Sequence, residues 1–311
     1  MSTSLANRPV LTTLDRVGAG VTVGALVAAV ISTGARNLIE RAPALRADTG
    51  VEDVHQARVE ARRFRSRMRA LRPLLDRAWL VEVDADLKWF GDALGAVRDA
   101  DVLSAELEKL AAGLPALDSY AGRELLGGLV VEREAARSAL VAAMESTRYR
   151  DLVDRLLTAA AAPPLRDARS GGEPAAPVLP WLLAKRWRGL RRNVAATKAD
   201  PSNAALHEVR KEAKKLRYAA EMGEAVVGDP AHRVVKASRR IQQILGEVHD
   251  AAIAETWLRN RALELDSLAV AVAAGELIDR ERARYLEARG RWPKAWKKAR
   301  RQCPKAALIS S

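Results

Sequence analysis

Residues 36–65 read "RNLIERAPALRADTGVEDVHQARVEARRFR", and residues 188–217 read "RGLRRNVAATKADPSNAALHEVRKEAKKLR". The two stretches align without a gap at a shift of 152 positions. The matched pairs include His55 and His207, Arg58 and Arg210, Glu60 and Glu212, Ala61 and Ala213, and Arg65 and Arg217. Because an ungapped match of this length rarely arises by chance, it indicates a tandem duplication.

A second repeated block follows each copy of the first. "LGAVRDADVL" (residues 94–103) recurs as "LGEVHDAAIA" (residues 245–254) at a shift of 151. Aromatic residues make up 4% of the chain, no stretch alternates as a strand would, and Ala, Leu, Arg, Glu and Val dominate, as is typical of helices. We therefore predict an all-α protein of two tandem four-helix bundles, related by pseudo-twofold symmetry, with a central basic groove.

Helix-breaking residues and one Pro-, Gly- and Ala-rich stretch set the expected boundaries. The expected segments are an N-terminal tail (1–13), a first four-helix repeat (14–161), a linker (162–180), a second four-helix repeat (181–290) and a basic C-terminal tail (291–311). The predicted helices are 14–42, 51–72, 84–111 and 118–146, then 180–197, 203–226, 231–261 and 265–290. The C-terminal tail is expected to be frayed or disordered.

Each repeat carries a stripe of basic side chains on its second helix. At 100° per residue, these side chains fall within about 80° of arc beside an apolar face. The stripe residues are His55, Arg58, Arg62, Arg65 and Arg69 in the first repeat, and His207, Arg210, Lys214 and Arg217 in the second. A solvated face usually mixes charge signs, whereas this stripe has one sign, so it favours binding of a polyanion. An ordinary solvated basic face is the alternative.

Further basic residues extend the candidate site. Arg63, Lys211 and Lys215 widen the stripes, and Lys185, Arg188 and Arg192 share one face of the helix before the second stripe. Arg36 matches Arg188, and Lys88 and Arg239 are equivalent positions expected at the groove rim. The two histidines are interpreted as phosphate donors or as residues that position the groove.

Two aspartates and two glycines in the second repeated block have structural interpretations. Asp99 and Asp250 are predicted to pair with neighbouring arginines, and Gly95 and Gly246 are predicted to mark sites of close helix approach.

The chain is strongly basic, with 52 Lys and Arg against 39 Asp and Glu and a formal net charge of +13. This balance predicts a negatively charged partner such as nucleic acid, an anionic membrane or another polyanion. The single cysteine, Cys303, allows no internal disulfide, so a reducing cytoplasm is the expected compartment. The uncharged stretch at residues 17–31 is short for a membrane span and is predicted to be a packed helix, with no membrane span.

No catalytic arrangement stands out in the sequence. It contains no phosphate-binding glycine loop after a strand and no Ser-His-Asp order, and no cofactor is expected. The adjacent His249 and Asp250 resemble metal ligands of helical hydrolases, but the first repeat has Arg98 and Asp99 there and no further ligands complete a set. We therefore expect neither a catalytic site nor a metal site.

Taken together, "VHQARVEARRFRS", "LGAVRDADVL", "LHEVRKEAKKLRYAAE" and "LGEVHDAAIAETWL" resemble the CHAD family, the conserved-histidine α-helical domain. The resemblance extends over about residues 14–290. It implies two four-helix bundles whose central basic groove binds inorganic polyphosphate, and association with polyphosphate granules. The basic ligands implied by the resemblance are His55, Arg58, Arg62, Arg63, Arg65, His207, Arg210, Lys214, Lys215 and Arg217. The triphosphatase domain found in many relatives, with its alternating glutamates, has no counterpart in this sequence.

The sequence thus predicts a non-enzymatic, cytoplasmic polyphosphate-binding protein associated with polyphosphate granules. Nucleic-acid binding is the first alternative, since the same arginines would serve it, with nucleic acid expected as the weaker competitor. A metal-dependent phosphohydrolase is the second alternative.

Overall fold

The computed structural model describes residues 13, 14, 17, 18, 20–47, 50–111, 116–265 and 267–307. Those residues form nine α-helices and one short 3-10 helix, without a named strand. The helices are α1 (Val23–Ala47), α2 (Val51–Ala70), α3 (Arg77–Ala111), α4 (Ala116–Glu145), α5 (Thr147–Ala161), α6 (Val178–Ala196), α7 (Asn203–Val227), α8 (Asp229–Leu265) and α9 (Leu268–Ala307). The all-α prediction is confirmed.

Helices that follow each other along the chain pack side by side. α1 to α4 form one such series and α6 to α9 form another, and α2 contacts α7 while α4 contacts α9. The two basic helices, α2 and α7, therefore lie against each other. The pseudo-twofold relation between the two series stays a prediction.

α5 is a helix that the sequence analysis did not predict. It packs against α1, α3 and α4, so five helices rather than four lie in the segment assigned to the first repeat. The Ser146 side chain caps its start by accepting a hydrogen bond from the backbone N–H of Tyr149 at 3.3 Å. Buried Leu152 and Leu156 fix α5 on the core.

Several predicted helix ends differ from the structure. α1 begins at Val23 rather than residue 14, and it continues through Pro43 to Ala47 instead of ending at that proline. α3 begins at Arg77, seven positions before the predicted start. The predicted stops at residues 48–49 and 113–115 and the N-terminal tail up to residue 12 lie outside the described residues.

The predicted linker is ordered against α1. It contains the 3-10 helix Ala168–Gly172, which contacts α1, and the backbone N–H of Val23 donates to the Glu173 carbonyl at 2.8 Å. A Cβ added at Gly24 would lie 3.0 Å from the Gly171 carbonyl oxygen, so this close approach favours a glycine.

The basic C-terminal tail is not frayed where it is described, so that expectation was wrong. α9 continues to Ala307, and Ala299 and Cys303 are buried. The rings of Trp187 on α6 and Trp296 on α9 pack at 5.3 Å between centroids. Apolar burial therefore holds the basic end of α9 on the core, and burial raises the pKa of the Cys303 thiol to about 12.

α1 is the one helix among the described residues that is long and apolar enough to cross a membrane. Its most apolar window is 56% buried inside the protein, and Val27, Val30 and Ile31 have no exposed surface. This burial supports the interpretation of α1 as a core helix.

Candidate functional site

Five of the predicted site residues lie in a cleft of about 370 Å³ where α2, α3, α7 and α8 meet, called the central cleft below. Its charged and imidazole side chains are His55, Arg58, Arg62, Arg98, Asp99, Glu106, Arg210, Lys214, His249 and Asp250. The two basic stripes therefore contribute to one cleft, because α2 packs directly on α7.

Two arginines of the cleft are paired with carboxylates at equivalent positions of the repeated blocks. Arg58 Nη1 donates to Asp99 Oδ1 at 2.6 Å, and Arg210 Nη2 lies 3.9 Å from Asp250 Oδ1. The predicted aspartate–arginine pairs are thus confirmed. Burial is the main cause that raises the pKa of Asp250 and lowers that of the Arg210 guanidinium.

The two glycines of these blocks lie beside the paired arginines, at distances where an added Cβ would make ordinary contacts. A Cβ at Gly95 would lie 3.8 Å from Arg58 Nη2, and one at Gly246 would lie 3.6 Å from Arg210 Nε. The prediction that these glycines mark close helix approach was therefore wrong, since no backbone atom of another helix is among the three nearest atoms to either added Cβ.

Three other cations of the cleft, Arg62, Arg98 and Lys214, form no ion pair with a described carboxylate. Arg62 Nε donates to the Tyr218 hydroxyl at 3.1 Å, and Lys214 has no hydrogen-bond partner among the described residues. Burial, followed by the charges of Arg62, Arg210 and Arg58, lowers the pKa of Lys214 to about 6. The cleft thus holds a concentrated positive charge that its own carboxylates do not neutralise.

Three histidines lie in or beside the central cleft: His55, His207 and His249. His55 lines the cleft, and burial lowers its pKa, with the charge of Arg98 as the next cause. His207 stacks against His249, with 4.3 Å between ring centroids, and burial is the main cause that lowers the pKa of both. His249 reaches a pKa of about 4, so its ring is neutral at pH 7 and can donate only one hydrogen bond.

Other predicted residues line an adjoining pocket of about 580 Å³, called the side pocket, between α2, α3, α6 and α7. Its basic residues are Arg65, Arg69, Arg72, Lys88, Lys185, Arg186 and Lys215. Asp84 accepts hydrogen bonds from Arg65 Nε at 2.9 Å and Arg69 Nη2 at 3.0 Å. Lys88 pairs with Asp92 at 2.6 Å, and Lys215 pairs with Glu212 at 2.5 Å. Four of the seven cations of the side pocket are thus paired with carboxylates, whereas Arg72, Lys185 and Arg186 form no ion pair with a described carboxylate.

The remaining predicted residues line neither the central cleft nor the side pocket. They are Arg36, Arg63, Arg188, Arg192, His207, Lys211, Arg217 and Arg239. Arg63 pairs with Glu60 at 2.7 Å, and Lys211 pairs with Glu208 at 2.7 Å. Arg217 is buried, with its guanidinium carbon 4.4 Å from the Tyr218 ring centroid. Its surroundings indicate a structural role.

Four basic or imidazole residues that line these sites were not among the predicted ligands, and one of them is Arg72 of the side pocket. Arg98 and His249 line the central cleft, and Arg186 lines the side pocket. Arg98 and His249 occupy equivalent positions in the "LGAVRD" and "LGEVHD" blocks, so the repeat itself held the signal for them. Arg186 donates to the Arg69 carbonyl across helices, a contact that no sequence pattern indicates.

Within the described ranges, no three His, Cys, Asp or Glu side chains are grouped so that they could hold a metal ion. The carboxylates of the central cleft face arginines instead.

The chain is similar to known proteins by sequence. The sequence model of the CHAD domain family matches residues 29–259. Two Mycobacterium tuberculosis proteins, named uncharacterized protein Rv2226 and uncharacterized protein MT2285, are each 31% identical over 240 residues. That match covers 71% of this chain and 42% of each relative, so the chain spans less than half the length of these relatives.

Two solved structures are similar in fold. PptA from Streptomyces chartreusis superimposes with a TM-score of 0.73 at 26% identity, covering 88% of this chain and 99% of that one. The CHAD domain from the plant Ricinus communis superimposes with a TM-score of 0.70 at 22% identity, covering 98% of this chain and 96% of that one. At 22% identity, the likeness to the Ricinus communis domain shows the fold alone.

Proposed function

The chain belongs to the CHAD domain family, and from the chemistry of its central cleft we propose that it binds inorganic polyphosphate there without catalysing a reaction on it. The observation that carries the proposal is the meeting of Arg62 and Lys214 from two different helices, with no carboxylate partner among the described residues. An empty cleft of this kind is unfavourable, because the arginine charges repel one another and, together with burial, disfavour the charged form of Lys214. A polyanion removes both penalties.

A phosphate chain suits this arrangement better than a single phosphate. The cations come from α2, α3 and α7, so one chain with several linked phosphates can contact all of them while losing translational freedom only once. Arginine guanidinium groups bind phosphate oxygens in pairs, and lysine acts as a point charge that tolerates many geometries. The internal pairs of Arg58 and Arg210 hold those guanidinium groups in position before the ligand arrives.

The decisive experiment is a binding titration with polyphosphates of graded chain length at two salt concentrations, with orthophosphate and single-stranded DNA as competitors. We expect affinity to rise with chain length and to fall steeply with salt, as for other ligands whose binding releases counterions. Arg62→Gln combined with Lys214→Gln should weaken binding strongly. Lys198→Gln, at an exposed position outside the cleft, is the matched control.

Two results would contradict the proposal. Equal affinity for orthophosphate and for polyphosphate, at equal total phosphate, would show that linked phosphates have no role. Stronger binding of DNA than of polyphosphate would favour nucleic acid as the ligand. Phosphate release from polyphosphate, measured with and without divalent metal, tests the non-enzymatic part: release that depends on metal would indicate a phosphohydrolase.

Association with polyphosphate granules in the cytoplasm is the cellular form of the same proposal. It predicts that a fluorescent fusion of this chain colocalises with granules and that the Arg62→Gln, Lys214→Gln variant does so less. A diffuse wild-type fusion in cells that contain granules would contradict it.

A further inference from the structure

A second basic groove lies between the first half of α8 and the last half of α9, and we call it the α8–α9 groove. It has a volume of about 820 Å³. Its basic residues are His232, Arg233, Lys236, Arg239, Arg240, Arg291, Lys294 and Lys298. Arg239 is the predicted rim residue that the structure places here rather than in the central cleft. The lysines of α9 belong to the predicted C-terminal tail, which packing turns into one wall of the groove.

The cations of the α8–α9 groove form two rows with the same spacing. On α8, Arg233, Lys236 and Arg240 follow each other at i, i+3 and i+7, and Arg291, Lys294 and Lys298 repeat that spacing on α9. Residues at this spacing share one face of a helix. Because α8 and α9 pack against each other, the two rows line opposite sides of the groove.

The floor between the rows is made of small and apolar residues. Ala237 and Ile244 come from α8, and Ala295 and Ala299 come from α9. Apolar walls lower the local dielectric, which strengthens the attraction of flanking cations for an anion.

Among the described residues, no Asp or Glu lines the α8–α9 groove. His232 pairs with Glu224 at 2.8 Å, and Arg291 pairs with Glu247, but both acids lie outside the groove. The other six cations, Arg233, Lys236, Arg239, Arg240, Lys294 and Lys298, are exposed and form no ion pair with a described carboxylate. Unpaired, exposed cations in two facing rows favour a ligand that is itself a row of negative charges.

The α8–α9 groove is separate from the central cleft. The two share no lining residue. On α8, Asp250 of the cleft follows Arg240 of the groove by ten positions, which corresponds to about 15 Å along a helix. A substitution in one site can therefore be made without touching the other.

We propose that the α8–α9 groove is a second binding site for an inorganic phosphate chain, so that one protein molecule holds two short chains or two segments of one long chain. The identity of the ligand rests on the proposed function. The position of the second site rests on the geometry of the α8–α9 groove. No Trp, Tyr or Phe lines the groove, so it lacks the stacking platforms typical of single-stranded nucleic-acid sites.

The test is calorimetric titration of the full chain with a short polyphosphate, which yields the number of chains bound per protein. The groove variant combines Lys236→Glu, Arg240→Glu and Lys294→Glu, and the cleft variant combines Arg62→Gln and Lys214→Gln. We expect two bound chains for the wild type and one for each variant. Because the sites are far apart, the affinity of the remaining site should stay within about twofold of its wild-type value.

A control variant matches the groove variant in charge. It combines Arg77→Glu, Arg150→Glu and Lys198→Glu, at exposed positions that line neither site, and it should still bind two chains. Circular dichroism and melting temperature check that all variants fold, and the exposure of the substituted groove residues makes folding of that variant expected.

The possible outcomes separate the two proposals. If the wild type binds one short chain and the groove variant behaves as the control, the second site is overturned and the central cleft stands. If the cleft variant binds as the wild type while the groove variant loses its chain, the central cleft is overturned and the groove stands. If the groove variant no longer binds single-stranded DNA but still binds two polyphosphate chains, the groove is a nucleic-acid site and the inference is overturned.

Discussion

The central cleft and the α8–α9 groove are both lined by arginine and lysine, but their cations have different neighbours. In the cleft, Asp99 and Asp250 pair with two of the arginines, and a third acid, Glu106, lies in the lining. In the groove, none of the described lining residues is a carboxylate. The cleft is formed by four helices and the groove by two.

This difference separates two ways of attracting a polyanion. In the cleft, partly buried cations with internal partners are fixed in position, so shape and desolvation contribute to binding along with charge. In the groove, exposed cations contribute mainly long-range attraction, which salt screens over about 8 to 10 Å. We therefore expect the cleft to set the affinity of the protein and the groove to add contacts with long chains.

The largest expected effect is a charge reversal in the cleft. Lys214→Glu places a negative charge among Arg58, Arg62 and Arg210 and should weaken binding of a short polyphosphate by roughly 100-fold, in the range found for buried charges at interfaces. Lys236→Glu in the α8–α9 groove should weaken binding of the same polyphosphate by several-fold at most, since solvent screens exposed charges. Titrations at one salt concentration measure both, and equal losses would contradict the contrast.

The next effect is a dependence of affinity on pH that belongs to the cleft. The pKa of Lys214 is about 6 in the empty cleft, and a phosphate chain favours the charged ammonium, so binding above pH 6 takes up a proton. Affinity should therefore fall as pH rises above about 6, by up to about tenfold per pH unit. Calorimetry in buffers of different ionisation enthalpy measures the proton uptake.

Lys214→Gln provides the control for that dependence. The variant leaves the α8–α9 groove unchanged, and the polyphosphate titrates as it does with the wild type. The variant should lose the proton uptake above pH 6. The same uptake in the variant and in the wild type would show that Lys214 is not its source.

The smallest effect is on the stability of the empty protein. The pKa of Lys214 falls from 10.5 to about 6 on folding, so between these values the unfolded chain binds more protons and this residue makes stability rise with pH. Lys214→Met removes this penalty and should raise the free energy of unfolding at pH 7 by about 1 kcal/mol or more. It should also remove a pH dependence of up to about 1.4 kcal/mol per unit. Urea unfolding at several pH values checks both, and a destabilised Lys214→Met would contradict the assignment.

The described structure agrees with the predictions that depend only on the local spacing of residues along the chain. Periodicity and composition predicted the all-α fold, and the repeat predicted which aspartates face arginines, because equivalent positions repeat the same neighbours. The repeat did not predict α5 or the buried end of α9. Those elements depend on apolar contacts with distant helices, such as Trp187 with Trp296.

The sequence by itself determined the all-α class, the duplication and the two stripes of basic side chains, since all of these follow from the spacing of residues along the chain. Only the tertiary structure decided which cations stay unpaired. Lys214 and Arg65 belong to equivalent stripes, yet Arg65 meets Asp84 of α3 while Lys214 meets other cations. The physical reason is that an ion pair requires atoms within about 4 Å, and helices far apart in sequence supply the partners.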